Sequence, residues 1–338
     1  MRPAAFPTGG KVSYLVRRLE FFFITLWATL TMNFILPRIM PGNPAQAMLV
    51  RYHGRVSPQT IHAIQVAFGL NASGNVFQQY LEYLRNTVTG NFGTSVTFFP
   101  VPVGDVVKQS LPWTIGLVGM ATVIAFIIGT VIGMLAAWRR GGVFDAILPP
   151  VFIVISAFPY FWLALLFLLA FALTLGWFPL GFAYDLTDTI NFSWSFIGQV
   201  LWHGFLPALT IVITSIGGWI LTMRNTMITT LAEDYVKMAR AKGLSPMRIM
   251  FMYAGRNAIL PNLTGFAMSL GFVISGAILV EIVFNYPGLG FTLLQAVHSQ
   301  DYALMQTLFL MITLAVLLAV LAADVLTAIL DPRTREQA

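Results

Sequence analysis

The residues able to do chemistry are few in this 338-residue chain: 13 Asp+Glu, 19 Lys+Arg, 4 His and no Cys. Without cysteine there is no thiolate nucleophile, thiolate metal site or disulfide. His53, His62, His203 and His298 never fall at the i, i+4 spacing of helical metal ligands, so they give a nickel path weak support. No Gly-x-x-x-x-Gly-Lys-Ser/Thr loop occurs, and the only Gly-Lys pair, Gly10-Lys11, is followed by Val12. ATP cannot be held by that route. Nor do the apolar runs contain a His/Asp/Ser constellation for membrane-embedded catalysis. Two acids at run ends remain. Glu281, just before Pro287-Gly288, is a candidate gate residue or a cap for backbone N–H groups. Asp324, near Asp331, could pair with an arginine or carry protons.

The elements that position these residues are set by composition. The chain is 57% hydrophobic and 9% charged, with a mean hydropathy of +0.79. A soluble domain carries about 25% charged residues, so a water-facing surface cannot be covered here. Soluble enzymes, disordered chains and DNA-binding domains are excluded, and the net charge of +6 points to a membrane rather than to nucleic acid. Crossing the hydrocarbon takes about 20 apolar residues in a helix. Six stretches lack Asp, Glu, Lys and Arg: 21–37, 109–138, 146–184, 189–223, 257–280 and 302–323. The third is too long for one span and too short for two, so it reads as one helix kinked near Pro159 with a turn at Gly176 to Gly181. The first follows Arg17-Arg18 without a small-x-small cleavage site and reads as an uncleaved span.

With the N-terminus inside, the outer segments keep only Arg38, Arg51, Arg55, Arg85 and Lys108, and the loops around 175–203 and 284–304 have no Lys or Arg. Cations concentrate inside. The chain is thus expected to be an all-α polytopic membrane protein with six transmembrane helices and both termini cytoplasmic. Its parts are an N-terminus with first span (1–39), an external region with short helices (40–107), a core of five spans (108–330) and a tail (331–338). In the external region, Ser57-Pro58 to Gly69 and Val76 to Val88 have helical signals. Trp177, Phe178, Phe182, Tyr184, Trp194 and Trp202 could stack on sugar rings or form an interfacial aromatic belt.

The loop at about 231–261 carries the densest charge. Glu233 and Asp234 open a helix that Arg240 and Lys242 close, with the signs the helix dipole favours. Gly243 stands where a left-handed residue ends a helix. Ser245-Pro246 then supplies the N-cap and first residue of a second helix running toward Pro261. This predicts a basic helix–turn–helix, either a surface that presses on a partner or one held to anionic lipid.

That segment resembles the cytoplasmic loop of ABC importer permeases serving dipeptide and oligopeptide uptake. The matching residues are Glu233-Asp234-Tyr235-Val236, Ala239-Arg240-Ala241-Lys242-Gly243-Leu244, Arg248 and Arg256-Asn257-Ala258-Ile259-Leu260-Pro261. Other family-like motifs follow in order: Arg17-Arg18, Met40-Pro41-Gly42-Asn43-Pro44, Gly90-Asn91-Phe92-Gly93-Thr94-Ser95, Leu111-Pro112, Leu206-Pro207-Ala208-Leu209-Thr210, Glu281 to Gly290 and Asp331-Pro332-Arg333. Asn43 and Asn91 stand where aspartate is usual, Tyr253 and Gly255 where His and Leu are common, and Lys237 where the broader importer motif has Glu.

The resemblance implies a type I ABC importer permease fold in a bacterial or archaeal inner membrane. It implies a non-enzymatic subunit that binds no cofactor itself, ATP and Mg being held by partner ATPases. The implied partners are a homologous second permease subunit, two ATP-binding subunits, an extracytoplasmic substrate-binding protein and the lipid bilayer, with no nucleic acid. The implied ATPase-coupling residues are Glu233, Ala239, Arg240, Ala241, Lys242, Gly243, Leu244, Met247, Arg248, Arg256, Asn257 and Pro261. Leu244 and Met247 would fill the ATPase groove. Di- or oligopeptides are the expected substrate, with oligosaccharides and nickel chelates as alternatives. The rival of another class is an ion-coupled secondary transporter, which predicts inverted repeats and midplane acids.

Overall fold

The computed structural model describes residues 9–39, 75–275 and 278–330. The expected helix at 57–69, the Met40–Pro44 motif, His53, His62, Asp331-Pro332-Arg333 and the side chain of Asp324 lie outside the described residues.

The regular elements among the described residues are helices. α1 covers Gly9–Ile39 and α2 covers Val76–Thr89. α3 runs through Val103–Trp138, with a π-turn at Ile115–Gly119, and so begins inside the stretch assigned to the exterior. α4 is Val143–Ser156 and α5 is Tyr160–Thr174. α6, Trp194–Leu231, has 38 residues. α7 is Asp234–Ala241, and α8 spans 246–258, a π-turn at Ile249–Gly255 lying between two short α-turns. α9 is Leu260–Ser275, α10 Ile278–Val283, α11 Leu289–His298 and α12 Tyr302–Leu330.

Among the described residues, four helical stretches are long and apolar enough to cross a bilayer, and α4 with α5 makes a fifth if that bent pair is one span. The expected kink near Pro159 is a full break: α4 and α5 are bent by 96°. Proline has no N–H to donate and sterically disfavours helical backbone just before it. The run at 257–280 gives a shorter apolar helix, Leu260–Val273.

Apolar side chains gain little by leaving lipid, so helices in a membrane associate through close backbone approach at small residues. α3 and α6 meet this way. A Cβ on Gly129 would lie 2.6 Å from Trp219 Cβ, and one on Gly133 would lie 2.5 Å from the Ile220 carbonyl oxygen. Gly217 places α6 against Ser156 and the Phe152 carbonyl of α4, and Gly271 places α9 against Ala315 and Ala319 of α12. Asn262, fully buried, donates from Nδ2 to Thr130 Oγ1 (3.0 Å) and to the Trp219 carbonyl (3.3 Å), knotting α9, α3 and α6 together.

α1 stands at the edge of this core. Asn33 and Gln306 exchange side chain-to-carbonyl hydrogen bonds of 2.6 and 3.0 Å with α12. Arg38 donates to Gln79 of α2 (3.0 Å) with its guanidinium over the Phe34 ring. α2 ends on Gly90, in the left-handed conformation at φ +72°.

Candidate functional site

The charged loop folds as its residue order predicts. Glu233 occupies the N-cap of α7 with extended backbone, but its carboxylate makes no capping bond, so only the dipole is complemented. After Ala241 the chain reverses at Gly243, at φ +71°. The Gly243 N–H donates to the Arg240 carbonyl (2.9 Å) and the Leu244 N–H to that of Ala239 (3.3 Å), which satisfies carbonyls at the helix end. Ser245 caps α8 by backbone geometry, and Pro246 takes its first turn. The result is a tight elbow.

The elbow is planted on a buried cluster. Val236 and Ala239 of α7 pack with Met134 and Ala137 of α3, Met223 and Met227 of α6, and Ile249, Met250, Ala254 and Ala258 of α8. Movement of the elbow therefore bears on the ends of α3 and α6, with α9 following directly from α8. Asn257 donates to the Tyr235 hydroxyl (2.8 Å), strapping the end of α8 to α7. The Arg240 guanidinium lies 5.8 Å from the ring centroid of Trp138, the last residue of α3. Lys237 pairs with Asp234 at 2.9 Å, and its hydrogen bond and charge hold the Asp234 carboxyl below its ordinary range.

The expected coupling residues divide into two sets. Glu233, Arg240, Ala241, Lys242, Gly243, Met247, Arg248, Arg256, Asn257 and Pro261 are exposed. Ala239 faces the buried cluster, and Leu244 is half-buried against it. Leu244 thus packs on the elbow's own base in this structure, while Met247 and Met238, 61% and 59% exposed, project from it.

Near the elbow lies an ion pair that the sequence reading did not find. Arg224 of α6 donates from Nε to Asp145 Oδ1 (2.5 Å) and from Nη2 to Oδ2 (2.9 Å), and the Gly141 N–H adds a bond to Oδ2 (3.1 Å). Asp145 is buried in the first turn of α4. Its place three residues after Gly142, in the first turn before a long apolar run, was the available signal.

Glu281 sits against the first third of α3, at Thr114, about 30 Å along the helix from Met134. It is fully buried. Oε1 accepts from the Thr114 hydroxyl (2.7 Å), and Oε2 from the backbone N–H groups of Gly290 (2.7 Å) and Phe291 (3.4 Å). Thr114 Oγ1 in turn accepts from the Leu289 N–H (2.7 Å). Carboxylate and hydroxyl together satisfy the first turn of α11, the capping arrangement. This also explains the glycines in Pro287-Gly288-Leu289-Gly290: a Cβ on Gly288 would run into the Glu281 carboxylate, and one on Gly290 would lie 2.9 Å from Oε2.

A third buried acid, Asp301, was missed although its position just before α12 is an N-cap signal. Its Oδ1 accepts from the Leu304 N–H (3.1 Å), and its Oδ2 from the Ser95 hydroxyl (2.5 Å) and the Thr97 N–H (2.9 Å). The Gly90–Ser95 motif is thereby tied to the start of α12.

His203 faces the Gly181 carbonyl (2.9 Å) and Asp185 (3.4 Å), and His298 lies exposed at the end of α11. Among the described residues, no three His, Asp or Glu gather where a metal could sit. The aromatics of 177–202 stack largely on neighbouring rings: Phe178 on Trp202 (4.5 Å) and Phe205 (5.0 Å), Tyr184 on Trp113 (5.5 Å), and Trp177 on Phe171 (5.9 Å).

Against known proteins, residues 129–336 match the profile of the family described as "Binding-protein-dependent transport system inner membrane component". The chain is 33% identical to the di/tripeptide transport system permease protein DppB of Pseudomonas aeruginosa, over 96% of this chain and 99% of that one. It is 30% identical to the oligopeptide transport system permease protein AppB of Bacillus subtilis, over 95% and 98%. With the dipeptide transport system permease protein DppB of Lactococcus lactis the identity is 28%, over 96% and 99%.

Proposed function

This chain belongs to the family of binding-protein-dependent transport system inner membrane components, and from that premise we propose that it is the permease subunit of an ATP-driven importer of di- or oligopeptides. The observation that carries the reading is the end-to-end likeness to relatives named as peptide permeases. In this reading the chain supplies half of a translocation path, a homologous permease the other half, two cytoplasmic ATPases the energy, and an external capture protein the substrate. The chain itself is no enzyme.

Six crossings fit this role: α1, α3, the α4–α5 pair, α6, α9 with α10, and α12. Both termini are cytoplasmic in this arrangement, which keeps most Lys and Arg inside. The elbow is then the contact with an ATPase. Arg240, Lys242, Met247 and Arg248 project from it, while Ala239 and Leu244 hold it to its base. ATP-driven closure would push Gly243 toward the bilayer, and α6 and α9 would carry the movement into the path. Glu281 serves the outer gate as the cap that fixes α11.

The test is uptake of radiolabelled di- and oligopeptides by proteoliposomes holding this chain with its co-expressed partner subunits and capture protein. Uptake that needs ATP and the capture protein is expected. Uptake by this chain alone, or driven by an ion gradient without ATP, would overturn the proposal.

A further inference from the structure

The break between α4 and α5 opens on a recess of about 560 Å³, bounded also by α3, α6 and α9. Irregular backbone at membrane depth persists where it is buried in protein or lines a watered cavity. The π-turn of α3 reaches the same recess through Val118, and π-turns inside helices frequently mark functional sites. Among the described residues, no Asp, Glu, Lys, Arg or His lines it.

What lines it instead is hydroxyl and aromatic. Thr122 donates its hydroxyl hydrogen to the Val118 carbonyl (2.7 Å), Thr214 to Thr210 (2.8 Å), Ser215 to Ile211 (2.5 Å) and Ser269 to Phe266 (2.8 Å). Each of these hydroxyls has spent its hydrogen on its own helix and keeps lone pairs to offer. The site therefore offers these acceptors beside donors on the same lining, the Ser156 and Tyr160 hydroxyls and the Trp219 indole N–H. Phe158, Tyr160, Trp219 and Phe272 supply the aromatic walls.

We propose that this recess is this chain's substrate subsite, one that takes the main chain of a peptide in transit, which brings both N–H donors and carbonyl acceptors. The inference rests on the peptide-importer reading and assigns residues to it. Every peptide brings backbone N–H groups and an α-ammonium whatever its side chains. An uncharged recess with hydroxyl acceptors and donors on a largely apolar wall suits that shared main chain and holds no fixed charge that would select among side chains. The aromatic faces add a surface for the ammonium and for apolar side chains.

The chain is naturally free of cysteine, so single cysteines can report on the recess in the complete transporter. Thr214→Cys and Ser269→Cys are compared with Val151→Cys on the exposed flank of α4, the label being read on this chain's band after treatment with a membrane-impermeant thiosulfonate. Labelling of the two recess positions, slowed at least fivefold by transported dipeptide during ATP turnover, is expected, with no peptide effect at Val151→Cys. With Ser269→Cys as reporter, Thr214→Val plus Ser215→Ala should raise the peptide concentration for half-protection about tenfold, the loss of one hydrogen bond. Recess cysteines that stay unlabelled would mean that lipid or the second permease subunit fills the space, and labelling indifferent to peptide would mean that water fills it without substrate. Either result overturns the subsite while wild-type ATP-dependent peptide uptake leaves the importer reading standing. Absence of that uptake removes the premise.

Discussion

Replacing Gly243 separates backbone conformation from contact. The residue sits at φ +71°, and no atom lies within 4 Å of where a Cβ would stand. A side chain there meets no steric obstacle within the chain, so the cost is conformational. Left-handed backbone costs an ordinary L-residue about 1–2 kcal/mol, less for Asn and more for β-branched residues. Such a difference shifts a local equilibrium by about 5- to 30-fold, away from the turn closed by the Gly243 and Leu244 N–H groups. The expected series is Gly243→Asn near wild type, Gly243→Ala several-fold impaired and Gly243→Val impaired about tenfold or more. The measured quantity is peptide imported per ATP hydrolysed in proteoliposomes with all partner subunits, hydrolysis being largely retained. Wild-type coupling in Gly243→Val would show that the elbow need not be rigid. An Asn variant as damaged as the Val variant would show that a partner surface forbids any side chain, refuting the conformational argument.

Arg224→Met should lower the thermal midpoint of the detergent-purified complex by stranding the buried Asp145 carboxylate, a loss of about 2 kcal/mol; adding Asp145→Leu should recover a large part of it. Glu281→Ala should destabilise by about 2–3 kcal/mol, since the Gly290 and Phe291 N–H groups and the Thr114 hydroxyl lose their acceptor; Glu281→Gln should cost less, and equal midpoints for both would refute the cap. Gly133→Val should force α3 from α6, where the new Cβ would stand 2.5 Å from the Ile220 carbonyl oxygen. Its yield of monodisperse protein should collapse, while Gly116→Ala, with nothing within 4 Å, should match wild type.

What was legible in the sequence was local. Ser245-Pro246 and Gly243 announce the elbow because caps and left-handed turns depend on a few adjacent residues. The long apolar runs announce helices for the same reason. The pairings were not legible. Nothing near Arg224 names Asp145, 79 positions away, and nothing near Glu281 names Thr114. Leu244, a partner contact by family resemblance, is half-buried against the elbow's own base, a packing its neighbours in sequence do not announce. The break at Pro159 was half legible: proline predicts a kink, but the angle depends on how α5 packs against α6, including Ala164 beside Leu206.

α6 joins the two proposed functions physically. Thr214 and Ser215 reach the recess from its middle, and its last residue, Leu231, is two residues from the Glu233 cap of the elbow. From Ser215 to Leu231 is about 24 Å at the rise of an α-helix, and the one proline in α6, Pro207, lies before this stretch. The intervening residues are packed from three sides: Gly217 against α4, Ile220 against Gly133 of α3, and the Trp219 carbonyl against Asn262 of α9. A helix held on three sides passes displacement along its axis more readily than it bends. Movement at the elbow would therefore change the relation of Thr214 and Ser215 to the broken end of α4, with Ser156 held against Gly217 as the contact that must slide.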